Sequence, residues 1–430
     1  RQAIEGLALR VAGAGHLRDD DVWGELVIVG RTDREIALLE VDDHDTAPRR
    51  QPRSHAPEVL RALGDVEDAA QFPLSAPIVS DGLTAVYKVS PDMLPILSQF
   101  MHDRFNRCGG FLTHGTEAAA RAAMRPNAVG PRVVYTLDQQ ATVTPLVAGV
   151  SEANIRGTIS AMAAFNSRYY QSETGAEAAR WLKGRWAELA AKMPGATAEL
   201  FTHSAWKQPS VILTIPGSEK PEEIIVLGGH LDSISGWGNA NARAPGADDN
   251  ASGIAVLNEA ARVLADSGVR PKRTIQFMGY AAEEVGLRGS QEIAASYAAS
   301  GKKVIGVIQF DMSNFAGSGN GIFLLTDFVD PALSAFTAKL VNTYAGVPAS
   351  TTKCGYACSD HASWTKKGFP SAMAFESTFD GSNKAIHSER DTLATSGGDA
   401  SHSVPFAKLS VAFALELAKT APAGSTLTAR

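Results

Sequence analysis

A mixed, mostly parallel sheet sandwiched between helices, with a small α+β module ahead of it, is the fold class that this 430-residue chain predicts. Three observations predict it. Runs such as "EIIVLGG" and "KVIGVIQF" are continuously apolar rather than alternating, as strands buried on both faces are. These runs alternate with helical segments, the grammar that lays helices over both sides of one sheet. The chain is also longer than a single core usually reaches, and its grammar changes near residues 125 to 140.

In the first region "VWGELVIVG" and "REIALLEV" alternate like half-buried strands, and "DDHDTAPRRQPRSHAPE" interrupts them as a loop. "SPDMLPILSQFMHDRF" reads as a helix opened by Ser90 and Pro91 and closed by "CGG". "AAARAAMRPNAVGPR" reads as an exposed linker because of its prolines and glycine. Residues 1–128 are therefore expected to form a separate module, 129–138 a linker, 139–420 the main domain and 421–430 a tail. Within the main domain "EIIVLGG", "RTIQFMGYAA", "KVIGVIQF" and "SAMAF" are the expected strands. "ASGIAVLNEAARVLADSG", "SQEIAASYAAS", "PALSAFTAKLVNTYA" and "VPFAKLSVAFALELAKTA" are the expected helices.

Composition narrows the function. With 44% hydrophobic and 20% charged residues the chain can bury a large core, and a net charge of −6 favours neither nucleic acid nor an anionic membrane. No apolar run reaches the roughly 18 residues that span a bilayer. Of three cysteines, Cys354 and Cys358 lie four apart, a spacing open to a helical thiol pair, a metal half-site or a small disulfide loop. With no second pair to complete a four-cysteine site, the disulfide is favoured, which suits an oxidising, secreted or periplasmic setting.

The reactive side chains stand at strand ends. His230 and Asp232 follow "EIIVLGG", Glu283 and Glu284 follow "RTIQFMGYAA", and Asp311 follows "KVIGVIQF". Ligands of open α/β sheets bind outside the carboxyl ends of the strands, so these groups converge on one rim. "PGADDNASG" adds Asp248 and Asp249 just before a helix, and "KAIHSERDT" adds His387. Histidine with carboxylate suits zinc, and the groups outnumber what one tetrahedral ion needs, so two metals sharing a carboxylate are expected. Asp248 is read as a turn or cap residue and the other histidines as structural, with Asp360 and His361 of "SDHASW" beside the site.

"GGHLDS", "PGADDNASG", "YAAEEVGLRGS", "FDMSN", "CGYACSDHASW" and "IHSERDT", in this order, resemble the co-catalytic zinc aminopeptidases of metallopeptidase family 28, and in particular the secreted bacterial leucyl aminopeptidase group. The likeness runs from about Gln139 to Lys419. It implies the zinc exopeptidase fold and two zinc ions: His387 and Glu284 on one, His230 and Asp311 on the other, and Asp249 bridging. It implies a cis peptide from Asp249 to Asn250, an Asp232 that orients His230, and a Tyr356 that bonds the developing oxyanion from a loop closed by Cys354 and Cys358. Glu284 would hold metal, while Glu283 would act as general base, taking a proton from the attacking water and passing it to the leaving amine.

The resemblance also places Met312, Leu325, Met373, Phe375, Phe379 and Ile386 in an apolar pocket, so peptides with a free N-terminus and a Leu-like first residue are the expected substrates. It further implies a pro-region in residues 1–128, an activating protease that cuts the linker, and a monomer. Cys108 is read as a residue without function, and ligation of the metals from that module is the lesser alternative. Two alternatives share the scaffold, a carboxypeptidase or one-zinc glutaminyl cyclase, and a third is an inactive peptidase-like binding protein. A serine hydrolase is disfavoured because the chain has no G-x-S-x-G elbow.

Overall fold

The computed structural model describes residues 25–30, 77–80, 84–105, 111–114, 116–124 and 133–420. "REIALLEV", Cys108, residues 129–132 of the expected linker and the 421–430 tail lie outside these residues.

The first sheet joins β1 (Glu25–Gly30), β2 (Val79–Ser80), β3 (Thr84–Val89) and β4 (Phe111–His114) in the order β2-β3-β1-β4, antiparallel throughout. Helix α1 (Leu94–Phe105) follows a 3-10 turn at Pro91–Met93. Ser90 makes no side-chain cap bond, so the proline turn, rather than a serine cap, starts the helix. Part of the expected linker is also helical, as α2 (Glu117–Ala123). Thr116 caps it by accepting from Ala119 N at 3.2 Å, Glu117 and Arg121 pair one turn apart at 2.6 Å, and alanine has the highest helix propensity.

The second sheet has eight strands. They are β5 (Thr197–Phe201), β6 (Ser210–Ile215), β7 (Lys220–His230), β8 (Arg273–Tyr280), β9 (Lys303–Phe310), β10 (Ile322–Leu325), β11 (Ala349–Thr352) and β12 (Ser371–Phe375). Their order is β11-β10-β12-β9-β7-β8-β6-β5. The central run β12-β9-β7-β8 is parallel, as is β10 with β11, while β12–β10, β8–β6 and β6–β5 are antiparallel.

Each central strand feeds two cores, because successive side chains point to opposite faces. Ile225, Leu227, Ile275, Phe277, Ile308 and Phe310 join one cluster with helices α3 (Gln140–Val147), α4 (Glu152–Ala163), α5 (Glu173–Ala190), α6 (Gly253–Ser267) and α10 (Ser403–Ala418). Ile224, Val226, Met278, Tyr280, Val304 and Val307 join the other, against α7 (Arg288–Ala299) and Trp364 of α9 (His361–Lys366). Helix α8 (Pro331–Leu340) completes the first layer through Leu333 and Phe336. Continuous apolar strands thus have the physical cause expected of them, burial on both sides.

Candidate active site

His230 is the last residue of β7, Asp311 the first beyond β9, and the glutamate pair stands three and four residues past β8. Three neighbouring parallel strands therefore deliver their side chains to one rim. Asp249 comes from an irregular turn ahead of α6, with a cis peptide to Asn250, and His387 from the loop between β12 and α10 at φ 56°. All six side chains are buried.

Within this rim His230 Nε2 is 3.0 Å from Asp249 Oδ1 and 3.3 Å from Asp311 Oδ1. His387 Nε2 is 2.7 Å from Glu284 Oε2 and 3.4 Å from Asp249 Oδ2. Two candidate metal-holding groups result, His230–Asp249–Asp311 and Asp249–Glu284–His387, with Asp249 common to both. Glu284 Oε1 and Asp311 Oδ1 are buried yet take no hydrogen bond, which costs free energy unless something else satisfies them. Nitrogen and oxygen donors so arranged fit zinc.

The electrostatics agree with that fit. Burial pushes Glu284 up to about 7, with the Asp249 charge adding to it, and burial pushes Glu283 well above the ordinary glutamate range, beside Asp311 and Asp360. Asp249 is held well below its ordinary value against burial, by His230 and His387. Clustered carboxylates that resist ionising together are ones a bound cation holds ionised.

Other buried groups position these side chains. The Asp232 carboxylate accepts from the amides of Glu283 at 3.0 Å and Glu284 at 3.1 Å. His230 Nδ1 lies 3.2 Å from the Asp232 carbonyl oxygen and 3.5 Å from its carboxylate, so Asp232 holds the glutamate turn as firmly as it faces the histidine. Asp391 accepts from the amides of Asp248 at 3.1 Å and Asp249 at 3.0 Å. Asn250 donates to Phe310 O at 2.9 Å and accepts from Gly253 N at 2.9 Å, tying β9 to the start of α6. Gly253 is needed there, because a Cβ would stand 2.2 Å from Phe310 O. Ser359 donates to Asp311 Oδ2 at 2.5 Å. The buried Arg168 guanidinium donates to Leu231 O at 2.8 Å and Gly246 O at 2.8 Å, joining the His230 and Asp249 segments.

Asp248 shares the irregular turn of Asp249 but does not cap α6. Its carboxylate accepts from Asn314 N at 3.0 Å and Asn383 Nδ2 at 3.1 Å, and burial raises it to about 6 against those bonds. The glutamate pair itself lies in a turn beyond β8, not on an extended segment. Ala282 at φ 55°, followed by amide bonds from Gly286 at 2.9 Å and Leu287 at 2.8 Å to Glu283 O, separates the two side chains.

Met312, Leu325, Met373, Phe375 and Ile386 form one buried cluster with Tyr356, Cys354 and Cys358, and Phe379 packs against it. Cys354 and Cys358 are disulfide-bonded, closing the loop that carries Tyr356. The Asp327 carboxylate accepts from Cys354 N at 3.3 Å and Gly355 N at 2.6 Å and holds that loop from below.

The first module touches this rim through His102 and β4, to which sequence reasoning gave no role there. The His102 ring of α1 lies 4.5 Å from the His387 ring, and Leu97, Met101 and Phe111 share a cluster with Ala282 and Val285, on either side of the glutamates. Phe111 and Thr113 of β4 press on Gly286, where a Cβ would stand 3.0 Å from each and where φ is 101°. The "MHDRF" segment was visible, but only tertiary packing reveals its partner.

A helix-covered, mostly parallel sheet with two histidine–carboxylate groups sharing one aspartate at its rim defines an α/β protein whose rim, where such sheets do their chemistry, could hold metal. Residues 210–412 match the model of peptidase family M28. Leucine aminopeptidase 1 of Emericella nidulans is 42% identical over 64% of this chain and 73% of that protein. A probable leucine aminopeptidase of Arthroderma benhamiae is 38% identical over 74% and 87%. The crystal structure of the Legionella pneumophila LapA aminopeptidase matches with a TM-score of 0.74 at 28% identity, over 92% of this chain and 98% of that one. The chain belongs to peptidase family M28.

Proposed function

We propose that the protein is a two-zinc aminopeptidase that removes leucine-like residues from the free N-terminus of peptides. One observation carries this reading: two buried histidine–carboxylate groups share Asp249, and Glu283 stands beside them outside both groups. Membership of a peptidase family whose relatives include leucine aminopeptidases supports the substrate class.

His230, Asp249 and Asp311 would hold one zinc, and Asp249, Glu284 and His387 the other. Zinc there supplies Lewis acidity, easing ionisation of water and polarising the scissile carbonyl. Glu283 takes the proton of the attacking water and returns it to the departing amine. Its buried setting suits both halves, since a carboxylate that ionises reluctantly holds a proton readily. Tyr356 donates to the oxygen of the tetrahedral intermediate from its disulfide-closed loop. The cluster of Met312, Leu325, Met373, Phe375, Phe379 and Ile386 receives the apolar side chain of the first residue.

Residues 1–128 act as a pro-region over the rim, and an external protease cuts the 129–138 linker. A disulfide beside the site suits a secreted or periplasmic, monomeric enzyme. No helix among the described residues is long and apolar enough to cross a membrane.

Metal analysis and hydrolysis of Leu-p-nitroanilide after limited proteolysis between residues 125 and 133 test the reading. Wild type should hold two metals per chain and turn over. Glu283→Ala should keep both metals and lose about 10²–10⁴-fold in kcat, the usual worth of general acid–base catalysis. A Glu283→Ala protein with undiminished kcat would sink the mechanism, and a stoichiometry near one would favour a one-zinc enzyme.

A further inference from the structure

Helix α1 turns its Leu94, Leu97 and Met101 face, spaced by one and two helical turns, into the apolar cluster that also contains Ala282 and Val285. That packing fixes the next residue, His102, over the site. Its ring centre is 4.5 Å from that of His387, at an interplanar angle of 43°. Its Nδ1 atom is buried and has no hydrogen-bond partner, which is rare for a buried polar atom. Histidine binds metal through a ring nitrogen that is not otherwise engaged, as this one is not.

Two imidazoles on one tetrahedral zinc, with Zn–N bonds of about 2.0–2.1 Å, hold their ring centres roughly 5 Å apart. The 4.5 Å seen between His102 and His387 is close to that spacing, and the tilted ring planes are not those of a parallel stack. Asp249, Glu284 and His387 number three side chains, and a catalytic zinc with three protein ligands keeps one position open.

We propose that in the uncleaved chain His102 is a fourth protein ligand of the metal held by Asp249, Glu284 and His387, so that the first module closes the site by coordination as well as by coverage. This inference rests on the two-metal reading above. It makes the metal part of the latch: the site is shut most firmly when it is loaded, and removing the module frees the position that the reaction needs.

The test uses the full-length, uncleaved chain loaded with Co2+, comparing wild type with His102→Phe. Phenylalanine keeps an aromatic ring against His387 and removes the donor nitrogen. The visible absorption of the Co2+ protein should change in His102→Phe, and release of metal to a chelator should speed up by at least about tenfold, the lower end of what even indirect ligand supports contribute. Identical spectra and release rates in two chains that each hold two metals would show that His102 only packs on His387, and would overturn this inference alone. A wild-type chain with fewer than two metals would sink the two-metal reading and this inference with it. Should His102→Phe fail to fold by circular dichroism, His102→Asn enters the same comparison.

Discussion

Adjacent carboxylates in "YAAEEVG" receive different surroundings from a single residue, Asp232, which anchors both of their amides while the turn behind them sends the side chains apart. Asp391 does the same for Asp249 by accepting two consecutive amides. In Asp391→Ala those buried donors lose their acceptor, each at about 1–3 kcal/mol, and Asp249 loses its fixed position. The expected outcome is a lower melting temperature together with weaker metal retention, and Asp391→Asn, which keeps one acceptor, should fall between. Unchanged metal retention in Asp391→Ala would show that Asp249 is held by other means. The residues of the two candidate metal-holding groups were legible in the sequence because each stands at the end of an apolar run or inside a short acidic motif. Asp391, Glu376, Ser359 and Arg168 were not, because their partners are backbone groups or acids distant in the chain, and no local pattern marks them.

At the end of the sheet remote from the rim, Glu223 of β7 accepts from Arg273 of β8 and from Lys303 Nζ of β9 at 2.6 Å. Arg273 also donates to Leu417 O at 2.7 Å, so one cluster pins three parallel strands and the end of α10. Against the effect of burial, the two cations hold the Glu223 carboxyl down at about 2, from an ordinary 4.5. A depressed carboxyl contributes stability above its unfolded value and loses it as the pH falls through its folded value. Glu223→Gln should therefore cost about 2 kcal/mol near neutral pH, a figure reduced for the exposed Lys303 end, and the gap to wild type should close between pH 4.5 and about 2. A gap independent of pH in chemical denaturation would refute the charge argument. The central strands were legible from their apolar runs, whereas β11, with exposed Ser350 and Thr351, and β5, mostly exposed, carry little apolar signal as edge strands. The alanine-rich segment was misread because its later prolines outweighed the Thr116 cap.

Over the whole molecule, the apolar face of the first module is completed by the main domain. Tyr87, Val89, Leu94, Leu97, Met101 and Phe111 share one cluster with Tyr169, Tyr170, Trp206, Ile234, Ala282 and Val285, while among the described residues the cluster wholly within the module is the small group around Val86 and Ala120. Arg288 caps the cluster over the Trp206 ring at 4.6 Å, and Lys366 Nζ reaches Ala123 O at 3.1 Å. Burying six such side chains contributes on the order of 10 kcal/mol, comparable to the roughly 4–15 kcal/mol cost of associating two separate bodies. The module should therefore remain weakly bound after the linker is cut. While the linker is intact, the effective concentration of the module is on the order of millimolar, enough to keep the rim covered. Cleavage alone should leave the rate low at high protein concentration, and dilution should raise it as the module departs. Leu-p-nitroanilide hydrolysis by the nicked chain, followed across a dilution series, reads this directly: specific activity should climb as protein concentration falls and level off at that of the isolated main domain. A specific activity that is the same before cleavage, after cleavage and at every dilution would mean that the module does not cover the site. A full rise on cleavage without any dependence on concentration would mean that the linker, and not the apolar cluster, holds it there.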